Sequence, residues 1–173
     1  MVEPTVEIKA VKNLSPEESE EILKLLTVVF EADISSWTWS QDDWRVLVRV
    51  DHRIVSHVAI SERTCLVNEK PVKVGGVGGV GTHPEWRSQG LASLAMRQTA
   101  NFVIDQLKVE FGVLFCANEM VPYYQRLGWR MIDAPVFFEE GGIKMRCDLP
   151  VMYLPGTKPY WPWGDVDICG HLW

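Results

Sequence analysis

The spacing of apolar residues changes along the first part of the chain, and each change predicts a different element. Apolar and polar residues alternate through TVEIKAV at 5–11, which predicts a strand. The run SPEE that follows has the features of a helix start: Ser15 as N-cap, Pro16 at the first helical position and Glu18 completing a capping box. Apolar residues then recur at helical spacing, so we expect this helix to reach about Phe30.

The rest of the chain alternates between strand and helix patterns. After the first helix, the predicted elements are strands at 44–50, 53–67 and 72–81, a helix at about 90–107, a strand at 112–118, a short helix ending at Gly128, and two strands within 129–153. This order predicts an α/β (α+β) fold, with helices packed on a mixed sheet. The tail, 154–173, is rich in proline, glycine and tryptophan, and we expect it to be ordered but irregular.

Length and charge narrow the functional classes. The 173 residues suit a single domain spanning 1–173. The net charge of −6 argues against a nucleic-acid partner, which needs basic residues to meet its phosphates, but is compatible with a small cationic substrate. No signal-peptide pattern opens the sequence and no apolar stretch is long enough to span a bilayer. We therefore expect a cytoplasmic protein without a membrane partner.

The cysteines give no sign of a metal or redox site. They stand far apart in the sequence, at Cys65, Cys116, Cys147 and Cys169. No pair has the spacing of a metal-ligand or redox motif, so we expect free thiols and no bound metal. The sequence leaves open whether the chain forms a homodimer.

A glycine-rich run, GVGGVG at 76–81, matches the spacing of a dinucleotide-binding fingerprint. That fingerprint must open a helix whose N-terminus faces the pyrophosphate. Here the last glycine is followed by Thr82-His83-Pro84, and a residue before proline disfavours helix. We therefore interpret the run as a strand whose missing side chains let a neighbouring backbone or a ligand come close.

A second candidate, RSQGLA at 87–92, lies between that strand and the long predicted helix. Gly90 and Ala92 leave little bulk over the first turn, where unpaired N–H groups can bind a phosphate. Arg87 can add a charge-assisted hydrogen bond. Spacing alone does not distinguish this phosphate site from a plain helix start.

The surrounding segment, VGTHPEWRSQGLASLAM, resembles the acyl-CoA-binding segment of the GNAT superfamily of N-acetyltransferases. Arg87, Gly90 and Ala92 fill that family's pattern of Arg or Gln, two residues, Gly, one residue, then Gly or Ala. A second family motif, with an Asn after a strand and a short helix ending Tyr-x-x-x-Gly-aromatic, is matched by LFCANEMVPYYQRLGW through Asn118 and Tyr124. The resemblance implies the GNAT fold, a mixed sheet of about seven strands flanked by about four helices.

The resemblance also implies a reaction, acetyl transfer from acetyl-CoA (coenzyme A) to an amine, and assigns residues to it. The implied cofactor-binding residues are Val80, Thr82, Arg87, Ser88, Gln89, Gly90, Leu91, Ala92, Ser93 and Asn118. Tyr124 is the implied general acid, with a half-buried packing aromatic as the alternative. The general base stays open between Glu119, His83, Asp165, Asp167 and a water chain.

Within the family, the sequence is most similar to the aminoglycoside 2'-N-acetyltransferases, through FEAD at 30–33, Asp43-Trp44 and WPWGDVD at 161–167. The candidate substrate-binding residues are Asp33, Asp43, Asp165, Asp167 and Trp163, with the tail 154–173 packed near the acceptor site. The chain departs from these enzymes at Gly78, where they carry an acid thought to activate the amine.

Three functions follow as hypotheses. The first is acetylation of an aminoglycoside-type antibiotic at its 2'-amino group, which would confer resistance. The second is acetylation of another small amine or of a protein N-terminus. The third, suggested by the missing acid at Gly78, is a non-catalytic acyl-CoA-binding module.

Overall fold

The computed structural model describes residues 3–32 and 40–173. The described α-helices are α1 (Pro16–Phe30), α2 (Leu91–Asn101) and α3 (Val121–Arg126). The described strands are β1 (Thr5–Ala10), β2 (Trp44–Val50), β3 (Arg53–Val67), β4 (Lys70–Thr82), β5 (Phe111–Phe115), β6 (Arg130–Met131), β7 (Val136–Glu140), β8 (Ile143–Arg146), β9 (Val151–Pro155) and β10 (Val166–Asp167). Together they form one mixed sheet with helices packed against it, which confirms the predicted fold class.

The start of α1 agrees with its sequence signals. The Ser15 side chain accepts a hydrogen bond from the Glu18 N–H, and the Glu18 carboxylate accepts one from the Ser15 N–H. Glu18 is also held by Lys9 at 2.8 Å and by Arg49 at 2.7 Å, so the cap is tied to strands β1 and β2. These contacts attach α1 to the edge of the sheet through its first turn.

The sheet forks at its longest strand, β3. Along one edge β3 pairs antiparallel with β4 over nearly its full length. Along the other edge it pairs first with β2, through residues 53–60, and at its far end with β10, through Leu66 and Val67. The strand thus links one half of the sheet, covered by α1 and α2, to a second half that includes β7, β8 and β10.

The parallel strands β4 and β5 separate before β4 ends. Their pairing runs only from Val74, opposite Phe111, to Val77, opposite Leu114. β4 continues to Thr82, so its last residues have an edge without β5 alongside. An open strand edge presents N–H and C=O groups that are free to bind another extended group.

Helix α2 packs its buried face, including Leu91, Ala95 and Met96, on the β2–β3–β4 part of the sheet. The helix predicted to reach Leu107 is α-helical only to Asn101 and continues as a wider, π-helical turn from Phe102 to Gln106.

Across the described ranges, no helix has the length and apolar character needed to cross a bilayer.

One detail of the predicted fold is wrong. The estimate of about seven strands is too low, because it omits β6, β9 and β10; β6 and β10 contain two residues each, and such short strands leave no periodic pattern. The tail, 154–173, is largely irregular and contains only the end of β9 and the two-residue strand β10 among its described residues. β10 forms because Val166 and Asp167 fit between β3 and β7, a pairing made by residues far apart in sequence.

Candidate active site

A cavity of about 500 Å³ lies where β4 has left β5. Its wall is formed by the end of β4, the loop before α2, the first turn of α2, and the residues around α3. The lining residues are Val29, Val80, Gly81, Thr82, Trp86, Arg87, Ser88, Gly90, Leu91, Ala92, Ser93, Met120, Tyr123 and Tyr124. We call this the cofactor cavity. It combines an open strand edge with a helix N-terminus.

The first turn of α2 is shaped to accept an anion. Gly90, the N-cap residue, has φ +77°, a left-handed conformation that glycine adopts without strain. Apart from Gly90's chain neighbours and the backbone of α2 itself, no described heavy atom lies within 4 Å of the place where a Cβ on Gly90 would sit, and no described side chain caps this helix. Arg87 stands beside it, with Nε donating to the Thr82 carbonyl oxygen at 3.2 Å. Free N–H groups, the helix dipole and a guanidinium together favour a bound phosphate.

Most of the predicted cofactor-binding residues meet in this cavity. Those that line it are Val80, Thr82, Arg87, Ser88, Gly90, Leu91, Ala92 and Ser93. Gln89 and Asn118 are exposed and lie outside the lining. Asn118 opens a short 3-10 turn, 118–120, that leads from β5 towards α3.

The predicted acid, Tyr124, reaches the same cavity from α3. Its side chain is only 5% exposed, and its ring packs edge-on against Trp129 and Tyr123. Burial raises the pKa of the Tyr124 phenol far above its usual value, and the neighbouring Tyr123 and Cys116 add to the effect. The phenol is therefore protonated at neutral pH and is able to donate.

A second cavity, of about 410 Å³, lies on the other side of the end of β4. It is bounded by α1, the start of β2, the middle of β3, and Trp173. The lining residues are Val11, Ser19, Ile22, Leu23, Leu26, Phe30, Ser40, Gln41, Asp42, Arg45, Ala59, Gly79 and Trp173. We call this the acceptor cavity. Its wall is largely apolar, with Asp42 and Arg45 as its charged groups among the described residues.

The linings of the two cavities include adjacent residues of two elements. On β4, Gly79 lines the acceptor cavity and Val80 lines the cofactor cavity. At the end of α1, Phe30 lines the acceptor cavity and Val29 lines the cofactor cavity. The two linings therefore lie one residue apart along both β4 and α1.

The charged pair in the acceptor cavity belongs to a buried polar network. Arg45 Nη2 lies 2.6 Å from the Asp42 carboxylate, and Arg45 Nη1 lies 2.9 Å from His57 Nε2. His57 Nδ1 in turn lies 2.8 Å from the Gly79 carbonyl oxygen. Ser61 also donates to Asp42, at 3.2 Å. Burial raises the pKa of the Asp42 carboxyl, and the charge of Arg45 opposes that rise.

The glycines of β4 make room for protein groups. A Cβ on Gly81 would lie 2.6 Å from Val29 of α1, and a Cβ on Gly76 would collide with the Trp173 ring. At Gly78 the collision would be with the Trp173 main-chain carbonyl group, 2.5 Å away. Of the two groups that the sequence left open for this run, a neighbouring part of the protein or a ligand, the structure places protein groups where these side chains would be: α1 at Gly81, His57 at Gly79, and the tail at Gly76 and Gly78.

The predicted substrate-binding residues do not gather at the acceptor cavity. Asp43 is exposed and accepts a hydrogen bond from the Glu62 N–H at 2.7 Å, which ties the start of β2 to β3. Asp167 forms an ion pair with Lys144 and accepts from the Cys169 N–H. Asp33 lies outside the described residues.

Trp163 and Asp165 line a separate hollow of about 330 Å³ with Asn68 and Asp133. Trp163 is 89% exposed there, and the Asp165 carbonyl accepts from the Asn68 N–H. Asn68 follows the far end of β3, whereas Ala59 lines the acceptor cavity. Val67, the last residue of β3, is eight positions from Ala59, which corresponds to about 26 Å along the strand.

The candidate bases lie outside both cavities. Glu119 is exposed in the 3-10 turn after β5. His83 caps a short 3-10 turn, where its ring accepts from the Glu85 N–H at 3.3 Å. Asp42 is the carboxylate that lines the acceptor cavity among the described residues, although it is paired with Arg45.

Sequence reasoning missed the residues that build the acceptor cavity. Ile22, Arg45 and Trp173 line the cavity and come from three distant parts of the chain, and His57 contacts Arg45 from the neighbouring strand β3. One local signal was present: His57 interrupts the apolar run IVSHVAI, and a polar residue inside a buried strand requires a hydrogen-bond partner. The sequence could not indicate which partner it finds.

Comparisons with known proteins identify the family and the fold. Residues 10–132 match the family described as Acetyltransferase (GNAT) domain. The fold is similar to that of the GNAT family N-acetyltransferase YhbS from Escherichia coli, solved in complex with CoA. That match has a TM-score of 0.69 and 16% identity, over 97% of this chain and 91% of that one.

Two other solved structures have the same fold. Escherichia coli ElaA matches with a TM-score of 0.67 and 15% identity, over 88% of this chain and 99% of that one. A GNAT family acetyltransferase from Brucella melitensis, in complex with acetyl-CoA, matches with a TM-score of 0.60 and 15% identity, over 94% of each chain. At these identities the likeness concerns the fold.

Proposed function

The chain belongs to the GNAT acetyltransferase family, and on that premise we propose that it transfers the acetyl group of acetyl-CoA to a primary amine of a small, largely apolar molecule. One observation carries the proposal: consecutive residues of β4, Gly79 and Val80, line the acceptor cavity and the cofactor cavity. Acyl transfer needs its two reactants held within contact distance in a fixed orientation. Two cavities lined by consecutive residues of one strand support such an arrangement.

Acetyl-CoA suits the cofactor cavity. It supplies a pyrophosphate, an extended pantetheine arm and a reactive thioester. The free first turn of α2 and Arg87 fit the pyrophosphate. The open edge of β4 at Val80 and Thr82 fits an extended arm with amide groups. Acetyl-CoA and CoA are the molecules named in the solved relatives from Brucella melitensis and Escherichia coli.

The chain's own residues have two tasks in the reaction. The amine nitrogen bonds to the acetyl carbon, the carbon–sulfur bond breaks, the amine loses a proton and the thiolate gains one. Tyr124 is the donor to the thiolate, since its phenol is buried in the cofactor cavity and stays protonated. Asp42 attracts the incoming ammonium group, and the amine proton then leaves to this carboxylate or to water.

The acceptor class follows from the lining of the acceptor cavity. The apolar side chains of Ile22, Leu26 and Phe30 favour a hydrocarbon or aromatic body over a sugar. Asp42 is the one carboxylate among the described lining residues and is shared with Arg45, so the cavity offers a contact for one ammonium group and none for the further charges of a polycation. These features support a compact monoamine.

An aminoglycoside-type antibiotic, acetylated at its 2'-amino group, is the second candidate acceptor. The neighbouring carboxylates of Asp42 and Asp43 near the acceptor cavity favour a cationic sugar. The resemblance of the segments around Asp43 and Asp165 to the aminoglycoside enzymes supports the same candidate.

A cytoplasmic location fits either acceptor and agrees with four free cysteines.

The proposal is tested in two stages with the purified full chain. Calorimetric titration with acetyl-CoA comes first, and the proposal fails if no binding is detected. Acceptors are then offered with acetyl-CoA, and acetylated products are measured by mass spectrometry. The set contains phenethylamine and tryptamine as apolar monoamines, kanamycin, gentamicin and kasugamycin as amino sugars, and a short peptide with a free N-terminus.

Faster turnover of the apolar monoamines supports the proposed class. Faster turnover of the amino sugars replaces it with antibiotic acetylation, and turnover of the peptide alone indicates a protein substrate. Tight acetyl-CoA binding with no product from any amine would instead support an acyl-CoA-binding module.

A further inference from the structure

His57 is a fully buried histidine on the central strand β3, and the acetyl transfer proposed above does not use its side chain. Both of its ring nitrogens are engaged, one by Arg45 and one by the Gly79 carbonyl oxygen. A buried polar group with two such partners sits at a defined position and has a defined protonation state.

The two partners determine which ring nitrogen carries the proton. A guanidinium can only donate hydrogen bonds, so His57 Nε2, 2.9 Å from Arg45 Nη1, is the acceptor. A carbonyl oxygen can only accept, so Nδ1, 2.8 Å from the Gly79 oxygen, carries the hydrogen. Asp42 holds Arg45 from its other side, at 2.6 Å, and thereby keeps the guanidinium against the ring.

The carbonyl held by His57 belongs to a bulge in β4. Ala59 pairs with Gly78 and His57 pairs with Gly81, so two residues of β4, Gly79 and Val80, oppose the single residue Val58. Gly79 has φ +55°, and a Cβ there would lie 3.2 Å from the His57 ring. Glycine thus allows both the bulge conformation and the close approach of the histidine.

Peptide geometry then sets the direction of the next N–H group. The Gly79 C=O and the Val80 N–H belong to one planar trans peptide, in which they point in opposite directions. Because the Gly79 oxygen points at His57, the Val80 N–H points away from the histidine ring. Residues of the bulge have no register partner on β3, and β5 no longer pairs with β4 at this point. Val80 itself lines the cofactor cavity.

We propose that His57 is a positioning residue for acetyl transfer: by holding the Gly79 carbonyl, it directs the Val80 N–H to donate to the thioester carbonyl oxygen. This inference rests on the proposed function. A donor aimed at that oxygen stabilises the negative charge that develops on it as the amine attacks. The bond from His57 also polarises the peptide unit and makes its N–H a better donor.

The histidine suits a fixed, neutral role. Burial and the charge of Arg45 lower its pKa to about 3, so the ring stays uncharged throughout the neutral range. Its proton therefore remains on Nδ1 while the enzyme turns over, and the bond to Gly79 persists.

The inference is tested by comparing acetyl-CoA with CoA, because these differ at the thioester carbonyl. Dissociation constants for both are measured by calorimetry on the wild type, His57→Leu and His57→Asn. The wild type is expected to bind acetyl-CoA several-fold more tightly than CoA. His57→Leu is expected to reduce that preference about fivefold, the effect of one hydrogen bond. His57→Asn, whose amide can still donate to Gly79, is expected to retain most of it.

Thr99→Val is the matched control. It removes another fully buried polar group, a hydroxyl that donates to the Ala95 carbonyl inside α2. Even if Thr99→Val is less stable than the wild type, its preference for acetyl-CoA over CoA should be unchanged. An unchanged preference in folded His57→Leu would overturn the positioning role, whereas failure of the wild type to bind either molecule would refute the proposed function itself.

A second measurement needs no variant. Nitrogen-15 NMR of the wild type should show His57 as the neutral tautomer with hydrogen on Nδ1. The Val80 amide proton should move further downfield with acetyl-CoA than with CoA, which has the same pantetheine arm but no thioester carbonyl. A proton on Nε2, or an identical response of Val80 to both molecules, would exclude the inference even if His57→Leu does not fold.

Discussion

The main-chain carbonyl group of Trp173 lies directly against the Cα of Gly78. A Cβ added at Gly78 would come within 2.5 Å of the carbonyl carbon and 2.7 Å of the oxygen. The Trp173 ring packs on Phe115 with 5.1 Å between ring centres, and its Nε1 donates to the Val113 carbonyl at 3.1 Å. The tail thus packs directly on the backbone of β4, and position 78 has no room for a side chain.

Substitution of Gly78 by alanine should loosen the tail. The collision is with backbone atoms, which cannot move without shifting Trp173, so we expect a loss of about 1–3 kcal/mol in unfolding free energy. Urea unfolding measures the loss, and near-ultraviolet circular dichroism reports the packing of Trp173. Gly75→Ala, whose nearest contact is the Val103 side chain at 3.1 Å, is the control on the same strand and should lose less. Equal losses would mean that the tail does not depend on Gly78.

Replacement of Tyr124 by phenylalanine should slow acetyl transfer and spare cofactor binding. Loss of a general acid lowers kcat by about 100-fold or more, while the phenyl ring keeps its packing against Trp129. Stopped assays give kcat, and calorimetry gives the acetyl-CoA dissociation constant. Tyr123→Phe removes a neighbouring phenol that bonds to Ser93 Oγ at 3.3 Å, and it should cost much less in kcat. Similar rates in the two variants would remove the acid role from Tyr124.

Arg87→Ala should weaken acetyl-CoA binding without slowing the chemical step. One charge-assisted hydrogen bond is worth about 1.5–3 kcal/mol, which predicts a KM for acetyl-CoA raised about 10- to 100-fold. The difference from wild type should shrink in high salt, since Arg87 is solvent-accessible. Arg97→Ala removes the same charge from the exposed face of α2 and should leave KM nearly unchanged. Equal KM values for the two variants would show that the phosphates of acetyl-CoA do not bind at Arg87.

Acidification should destabilise the fold through His57. Its pKa falls from 6.5 in the unfolded chain to about 3 in the folded protein, so below pH 6.5 the unfolded state binds a proton that the folded state does not. The free energy of unfolding does not depend on the titration of His57 above pH 6.5, and it decreases steadily as the pH drops from 6.5 towards 3. The full decline is about 5 kcal/mol, from 1.36 kcal/mol per pKa unit.

The measurement is urea unfolding of the wild type and of His57→Asn between pH 7 and pH 4. Carboxylates held by ion pairs, such as Glu18, contribute to the acid loss equally in both proteins. The wild-type curve should therefore fall more steeply than that of the variant. Parallel curves would show that His57 does not remain neutral in the folded state.

Much of the fold and of the cofactor site was predictable because the signals are local. Ser15 and Glu18 cap α1 through atoms three residues apart, and the chain that enters α2 carries its own phosphate-binding pattern at Arg87, Gly90 and Ala92. Gln89 and Asn118 belong to the same motifs but lie outside the cavity lining, since a motif does not specify which of its residues face inward.

The sequence by itself determined the elements built from neighbouring residues: the capped helix α1, strands β1 to β5, the glycine turn before α2 and the short helix that carries Tyr124. Tertiary structure alone decided the acceptor cavity, because Ile22, Asp42, Arg45, Gly79 and Trp173 come to line one cavity only through strand pairing, the bulge at Gly79 and the docked tail. A one-residue change of register would move a strand side chain to the opposite face of the sheet. Such a cavity therefore depends on long-range pairing that local patterns do not encode.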